Sequence, residues 1–110
     1  MAAKERRRAP RGAALLLTSF RCLEKGEVTW SGFARTLNIG ESGALLESPD
    51  RFRVDQLLIL EFLMDNDQLL EIQGVVKRVE KSRNMYQVAV AFPKLTAKAK
   101  RLLAKQAAAI

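Results

Sequence analysis

From Ala13 onward the chain breaks into short apolar runs separated by turn-forming residues, which is the pattern of an all-β domain. A first strand spans residues 14–23 and turns at Lys25-Gly26-Glu27. Residues 28–39 then alternate in part, with Phe33, Arg35 and Leu37 on one side and Ala34 and Thr36 on the other. Gly40 and Gly43 interrupt the run, residues 44–47 resume it, and Ser48-Pro49-Asp50 is a further turn. Residues 57–64 are nearly all apolar and end at Asp65-Asn66-Asp67. A long strand over 69–79 follows, with Leu70, Ile72 and Val76 as core contributors. Lys81-Ser82-Arg83-Asn84 suits a hairpin loop into 85–92, where Tyr86, Val88, Val90 and Phe92 share one face. The expected count is six strands.

After Pro93 the period changes. Thr96 is placed to cap a helix over about 96–109, in which Ala99, Leu102, Leu103, Gln106 and Ile110 fall at spacings of three and four. Lys98, Lys100, Arg101 and Lys105 line its outer side, and the simplest role for such a helix is a lid over an open barrel end. Residues 1–12 are polar and lack apolar periodicity, so they read as a flexible arginine-rich tail or latch ahead of one domain over 13–110.

Composition narrows the function. The 110 residues suffice for one core. The absence of His excludes histidine-based triads and the commonest zinc ligand. Cys22 is the sole cysteine, so no disulfide closes within the chain and no Cys cluster holds a metal; a reducing cytoplasm is the expected address. Lys4, Arg6, Arg7, Arg8 and Arg11 ahead of residues 13–17 imitate the start of a secretory signal, but Thr18, Ser19 and Arg21 break the apolar stretch. No run approaches the ~20 apolar residues of a membrane span. The net charge of +7 is uneven: residues 1–21 and 94–110 carry +5 each and residues 22–93 carry −3. Basic ends on an acidic body most often serve simple solubility, so a binding role needs support from elsewhere in the sequence.

Two short segments carry the chemistry, Arg6-Arg7-Arg8-Ala9-Pro10-Arg11 before the first strand and Asn38-Ile39-Gly40-Glu41-Ser42-Gly43 after the second. A guanidinium presents forked donors that fit phosphate oxygens or the O6/N7 edge of guanine, and its flat face stacks on a base. Pro10 stiffens the segment ahead of Arg11.

Together these segments resemble the PilZ domain family of cytoplasmic bacterial receptors for cyclic di-GMP, whose signature is RxxxR in an N-terminal loop and [D/N]xSxxG at a strand turn. Val75-Val76-Lys77-Arg78 and residues 88–95 also look like the family's later strands. The resemblance implies a six-stranded antiparallel PilZ-like β-barrel with a flexible basic N-terminal tail and a C-terminal α-helix. It implies no cofactor, cyclic di-GMP as ligand, and a downstream protein partner in motility, adhesion or biofilm control. By the same resemblance Arg7 and Arg11 are the RxxxR pair with Arg8 between them, Asn38 reads the guanine edge, and Gly43 ends the motif. Gly43 is there for a turn of positive φ, for close backbone approach, or as an ordinary turn glycine. Gly40 departs from the motif serine, and Ser42 or a water is the expected substitute. Arg6 extends the basic run and could stack on a second ligand molecule.

Two other classes compete. A ligand-independent PilZ-like interaction module is the reading that Gly40 favours. A small barrel binding RNA or single-stranded DNA would expose aromatics for stacking, whereas Phe33, Phe62, Tyr86 and Phe92 are expected in the core. Catalysis has no nominee: Asp65 and Asp67 fall in a turn, Glu71 and Glu80 on strands, and Cys22 lacks an activating His.

Overall fold

A computed structural model describes residues 16–64 and 67–108. Six antiparallel strands close into a barrel in the order β1-β2-β3-β6-β5-β4. The strands are β1 (Leu16–Glu24), β2 (Glu27–Ile39), β3 (Gly43–Ser48), β4 (Leu57–Leu63), β5 (Leu69–Ser82) and β6 (Met85–Ala91), followed by helix α1 (Ala97–Ala108). Closure is made by β1 pairing with β4 as well as with β2.

Local chemistry sets the joints. Lys25 and Gly26 both take positive φ, 53° and 81°, the left-handed pair that lets a two-residue hairpin follow the strand twist. Arg83 does the same at 60° between β5 and β6. The Thr96 hydroxyl accepts from the Ala99 amide at 3.0 Å and so caps α1, as its position in the sequence suggests.

The period of two delivers one buried row per strand. Phe20, Cys22, Ala34, Leu46, Leu58, Leu60, Phe62, Ile72, Val76, Val88 and Val90 fill the barrel, and Ala99 and Leu103 turn the helix face inward. Leu70 and Tyr86 are half-buried against this core. Thr18 and Thr36 are buried inside it and pair hydroxyl to hydroxyl at 2.5 Å, which satisfies polar atoms that would otherwise be costly to bury. Phe33 departs from expectation. It is 66% exposed, because Ala34 and Thr36 take the inner positions of β2 and parity sends Phe33 and Arg35 outward.

The thiol of Cys22 is fully buried, and burial, then the nearby Asp50 and Glu24 carboxylates, push it from 9.0 up to about 11. The folded state therefore disfavours the thiolate, and this contribution to stability is complete below pH 9.0 and lost as pH climbs through about 11. The native chain is expected to resist a thiol reagent at neutral pH and to react once unfolded. A decline in stability across that alkaline window should shrink in Cys22→Ala, as followed by denaturant titration at each pH; an unchanged decline would assign it to other groups.

Candidate functional site

The site begins with an irregularity in β2. Thr36 is buried and Ile39 is buried, yet two residues separate them instead of one. Pairing with β3 shifts between Thr36 and Asn38, a bulge at Leu37 that resets the alternation. Its effect is to turn Asn38 outward to an exposed position, where strict alternation after Ala34 and Thr36 would have buried it.

The turn that follows is held by backbone. The Gly40 amide donates to the Gly43 carbonyl at 3.0 Å, and the Phe92 amide donates to the Ser42 carbonyl at 2.9 Å. The turn is thereby tied to the end of β6, with Gly43 opposite Ala91. The two glycines differ physically. A side chain begun at Gly43 would put its Cβ 2.2 Å from the Val90 carbonyl oxygen, so Gly43 is required for close backbone approach, and positive φ plays no part. At Gly40 a Cβ would meet no heavy atom within 4 Å, and φ lies outside the left-handed region. Asn38, Glu41 and Ser42 all reach solvent on this turn.

Beside the turn lies an open cleft of about 580 Å³, with Glu41 on one side and Phe92, Lys94, Thr96 and Lys100 on the other. Lys94 and Lys100 make no ion pair among the described residues. In the sequence Lys100 reads as a charge on the outer side of the helix, and Lys94 has no assigned role. The signal available was the +5 charge of residues 94–110, but the closeness of that segment to Glu41 is set by the β3–β6 pairing.

The end of β2, the turn and the start of β3 thus bring Asn38, Gly40, Ser42 and Gly43 together. Arg7, Arg8 and Arg11 lie outside the described residues, as does Arg6. An exposed amide that accepts and donates, a hydroxyl and two unpaired ammonium groups suit a ligand with both an anionic group and a hydrogen-bonding base edge. Among the described residues no group of His, Cys, Asp or Glu is arranged to hold a metal ion, and no helix is long and apolar enough to cross a membrane.

The chain matches the family model described as the PilZ domain over residues 5–109. Similar solved structures include the Bacillus subtilis inhibitor of motility MotI/DgrA, at TM-score 0.70 and 15% identity, covering 84% of this chain and 45% of that one. The PilZ domain of YcgR from Escherichia coli, solved with c-di-GMP, gives TM-score 0.62 and 10% identity over 83% of this chain and 77% of that one. MrkH from K. pneumonia gives TM-score 0.64 and 18% identity over 91% and 48%. The chain therefore spans about half the length of MotI/DgrA and of MrkH. Comparison with curated protein sequences gives no match.

Proposed function

Because the chain belongs to the PilZ domain family, we propose that it is a receptor for cyclic di-GMP in the bacterial cytoplasm, acting by binding and not by catalysis. The observation that carries this reading is the outward Asn38 on a turn locked by Gly43, beside a cleft bearing Lys94 and Lys100. In the proposed complex Asn38 faces a guanine edge, and Arg7, Arg8 and Arg11 close over the phosphates and bases from the N-terminal side. The amide oxygen of Asn38 accepts from the guanine N–H groups without the charge assistance a carboxylate would give. The arginine segment orders on the ligand, and the new surface signals to a protein partner in motility, adhesion or biofilm control. The relatives support this reading: one is an inhibitor of motility, which bears on the output, and another was solved with c-di-GMP, which bears on the ligand.

Calorimetric titration with cyclic di-GMP at physiological salt, with GTP as control, tests the reading. Saturable binding specific to the cyclic dinucleotide is expected. No heat at high ligand concentration would overturn it and favour the ligand-independent interaction module, for which the missing hydroxyl at Gly40 is the supporting observation.

Gly40 also supplies a gain-of-function prediction. Space and backbone both admit a side chain there. Gly40→Ser is therefore expected to fold normally and to bind roughly tenfold tighter, since a hydrogen bond to a charged group contributes about 1.5 kcal/mol or more. If Ser42 substitutes for the motif hydroxyl, Ser42→Ala weakens the parent by a similar factor and has little effect in the Gly40→Ser background. Equal affinities across all four proteins would remove both hydroxyls from the ligand's contacts.

A further inference from the structure

A second cleft, of about 850 Å³, lies between the β3–β4 connection and the β5–β6 hairpin. Arg51, Arg53 and Lys81 provide its charge and Val54, Val79 and Tyr86 its apolar wall, with Phe52 beneath; among the described residues no carboxylate lines it. Arg51 and Lys81 make no ion pair among the described residues, and Arg53 pairs with Glu24 at the exposed rim. This is a local excess of positive charge on a stretch, 22–93, whose own charge is −3.

The cations stand on a loop that is pinned. The Phe52 ring packs edge-on against Phe20 with centroids 4.9 Å apart and lies 5.7 Å from Trp30. The Ser48 hydroxyl accepts from the Asp50 amide at 3.1 Å, and the Gln56 side-chain oxygen accepts from the Arg53 amide at 3.1 Å. The Asp55 amide donates to the Val76 carbonyl at 2.7 Å, and the Val76 amide returns a bond to Gln56 at 3.0 Å. Arg51 and Arg53 therefore project from a backbone fixed on both sides of the buried Phe52, so ligand binding need not order the loop that carries them.

From this juxtaposition of unpaired cations, a fixed loop and an apolar wall, we infer that the cleft docks an acidic segment of a protein partner, one that alternates carboxylates with aliphatic or aromatic side chains. Charge complementarity selects the carboxylates, and the wall of Val54, which is 56% exposed, Val79 and half-buried Tyr86 selects the apolar partners. A nucleic-acid strand would use the same cations and Tyr86 but would leave Val54 and Val79 against water. The inference stands on residues apart from the Asn38–Gly43 turn and does not depend on the nucleotide reading.

Fluorescence anisotropy of the full chain with a short labelled peptide alternating glutamate with leucine and phenylalanine tests it. Expected is saturable, salt-sensitive binding that the same peptide with glutamine in place of glutamate lacks. The double variant Arg51→Glu, Lys81→Glu changes two exposed side chains, so it should melt like the parent, yet it should bind the peptide at least roughly tenfold more weakly. Its calorimetric response to cyclic di-GMP should equal the parent's. Four results would each overturn the inference: no peptide binding, equal binding of the glutamine peptide, undiminished binding by the double variant, or tighter binding of a labelled oligouridylate. Displacement of the peptide by cyclic di-GMP would also do so, by making the cleft part of the nucleotide site.

Discussion

Substitution of Arg11 or Arg7 by alanine is expected to bring cyclic di-GMP binding below calorimetric detection while leaving the thermal transition where it was. The energetic basis is the loss of forked, charge-assisted hydrogen bonds to phosphate or guanine, each contributing about 1.5–3 kcal/mol, or one to two decades in affinity. Arg7 and Arg11 stand in the polar stretch ahead of residue 13, where the sequence has no apolar period, so truncating them is expected to remove no core packing. Lysine at the same positions separates charge from geometry. It keeps the positive charge but loses the planar fork, so Arg11→Lys should bind far more weakly than the parent and only modestly better than Arg11→Ala. Binding unchanged in Arg7→Ala and Arg11→Ala alike would remove the latch from the proposed mechanism. A large fall in melting temperature would instead make these arginines part of the folded framework.

The second large effect is structural. Gly43→Ala should destabilise the barrel by about 3 kcal/mol, lowering its melting temperature by on the order of 10 °C or more. The reason is specific: the added methyl would stand 2.2 Å from a backbone oxygen, at Val90, and a carbonyl held in the β3–β6 ladder has no rotamer by which to move aside. Relief requires β3 and β6 to part where the turn is anchored, so ligand affinity should fall together with stability. Gly74 provides the contrast. Its nearest obstruction is Cγ1 of the buried Val90, at 2.5 Å, so Gly74→Ala must shift a core side chain but not a ladder carbonyl, and it should cost less than Gly43→Ala. A Gly43→Ala protein that melts like the parent would mean that the turn is looser than its hydrogen bonds to Phe92 and Gly40 imply.

The strands were legible because each places its apolar residues at every second position and ends on residues with turn chemistry. Lys25-Gly26 is the clearest case, and the capping role of Thr96 was equally plain. Phe33 reads as a core residue when hydrophobicity alone is weighed, and the structure places it outside. It shares parity with Arg35, which pairs at the surface with Glu47 on the neighbouring β3, and that parity places it on the outer face. The bulge at Leu37 was not legible, because a register shift is decided by how two strands fit and leaves no mark on either one alone. That Gly43 matters through close approach could not be told from an ordinary turn glycine until β6 was seen behind it. The same limit hid both clefts. Lys94 comes to line one cleft with Glu41, and Lys81 another with Arg51 and Arg53, only through pairings between segments far apart in the chain.

The β1–β4 pairing has a consequence for how the barrel communicates. Every described strand has a neighbour on both sides, so around the closed girdle no row of backbone amides and carbonyls stands open for another polypeptide to extend the sheet, while β2 before Arg35 and β5 after Val76 run past their β3 and β4 partners. Recognition of the barrel wall is therefore a matter of side chains, whose charge and shape can be altered one residue at a time without disturbing the ladders behind them. A scaffold of this kind separates the grammar of its fold from the vocabulary of its contacts.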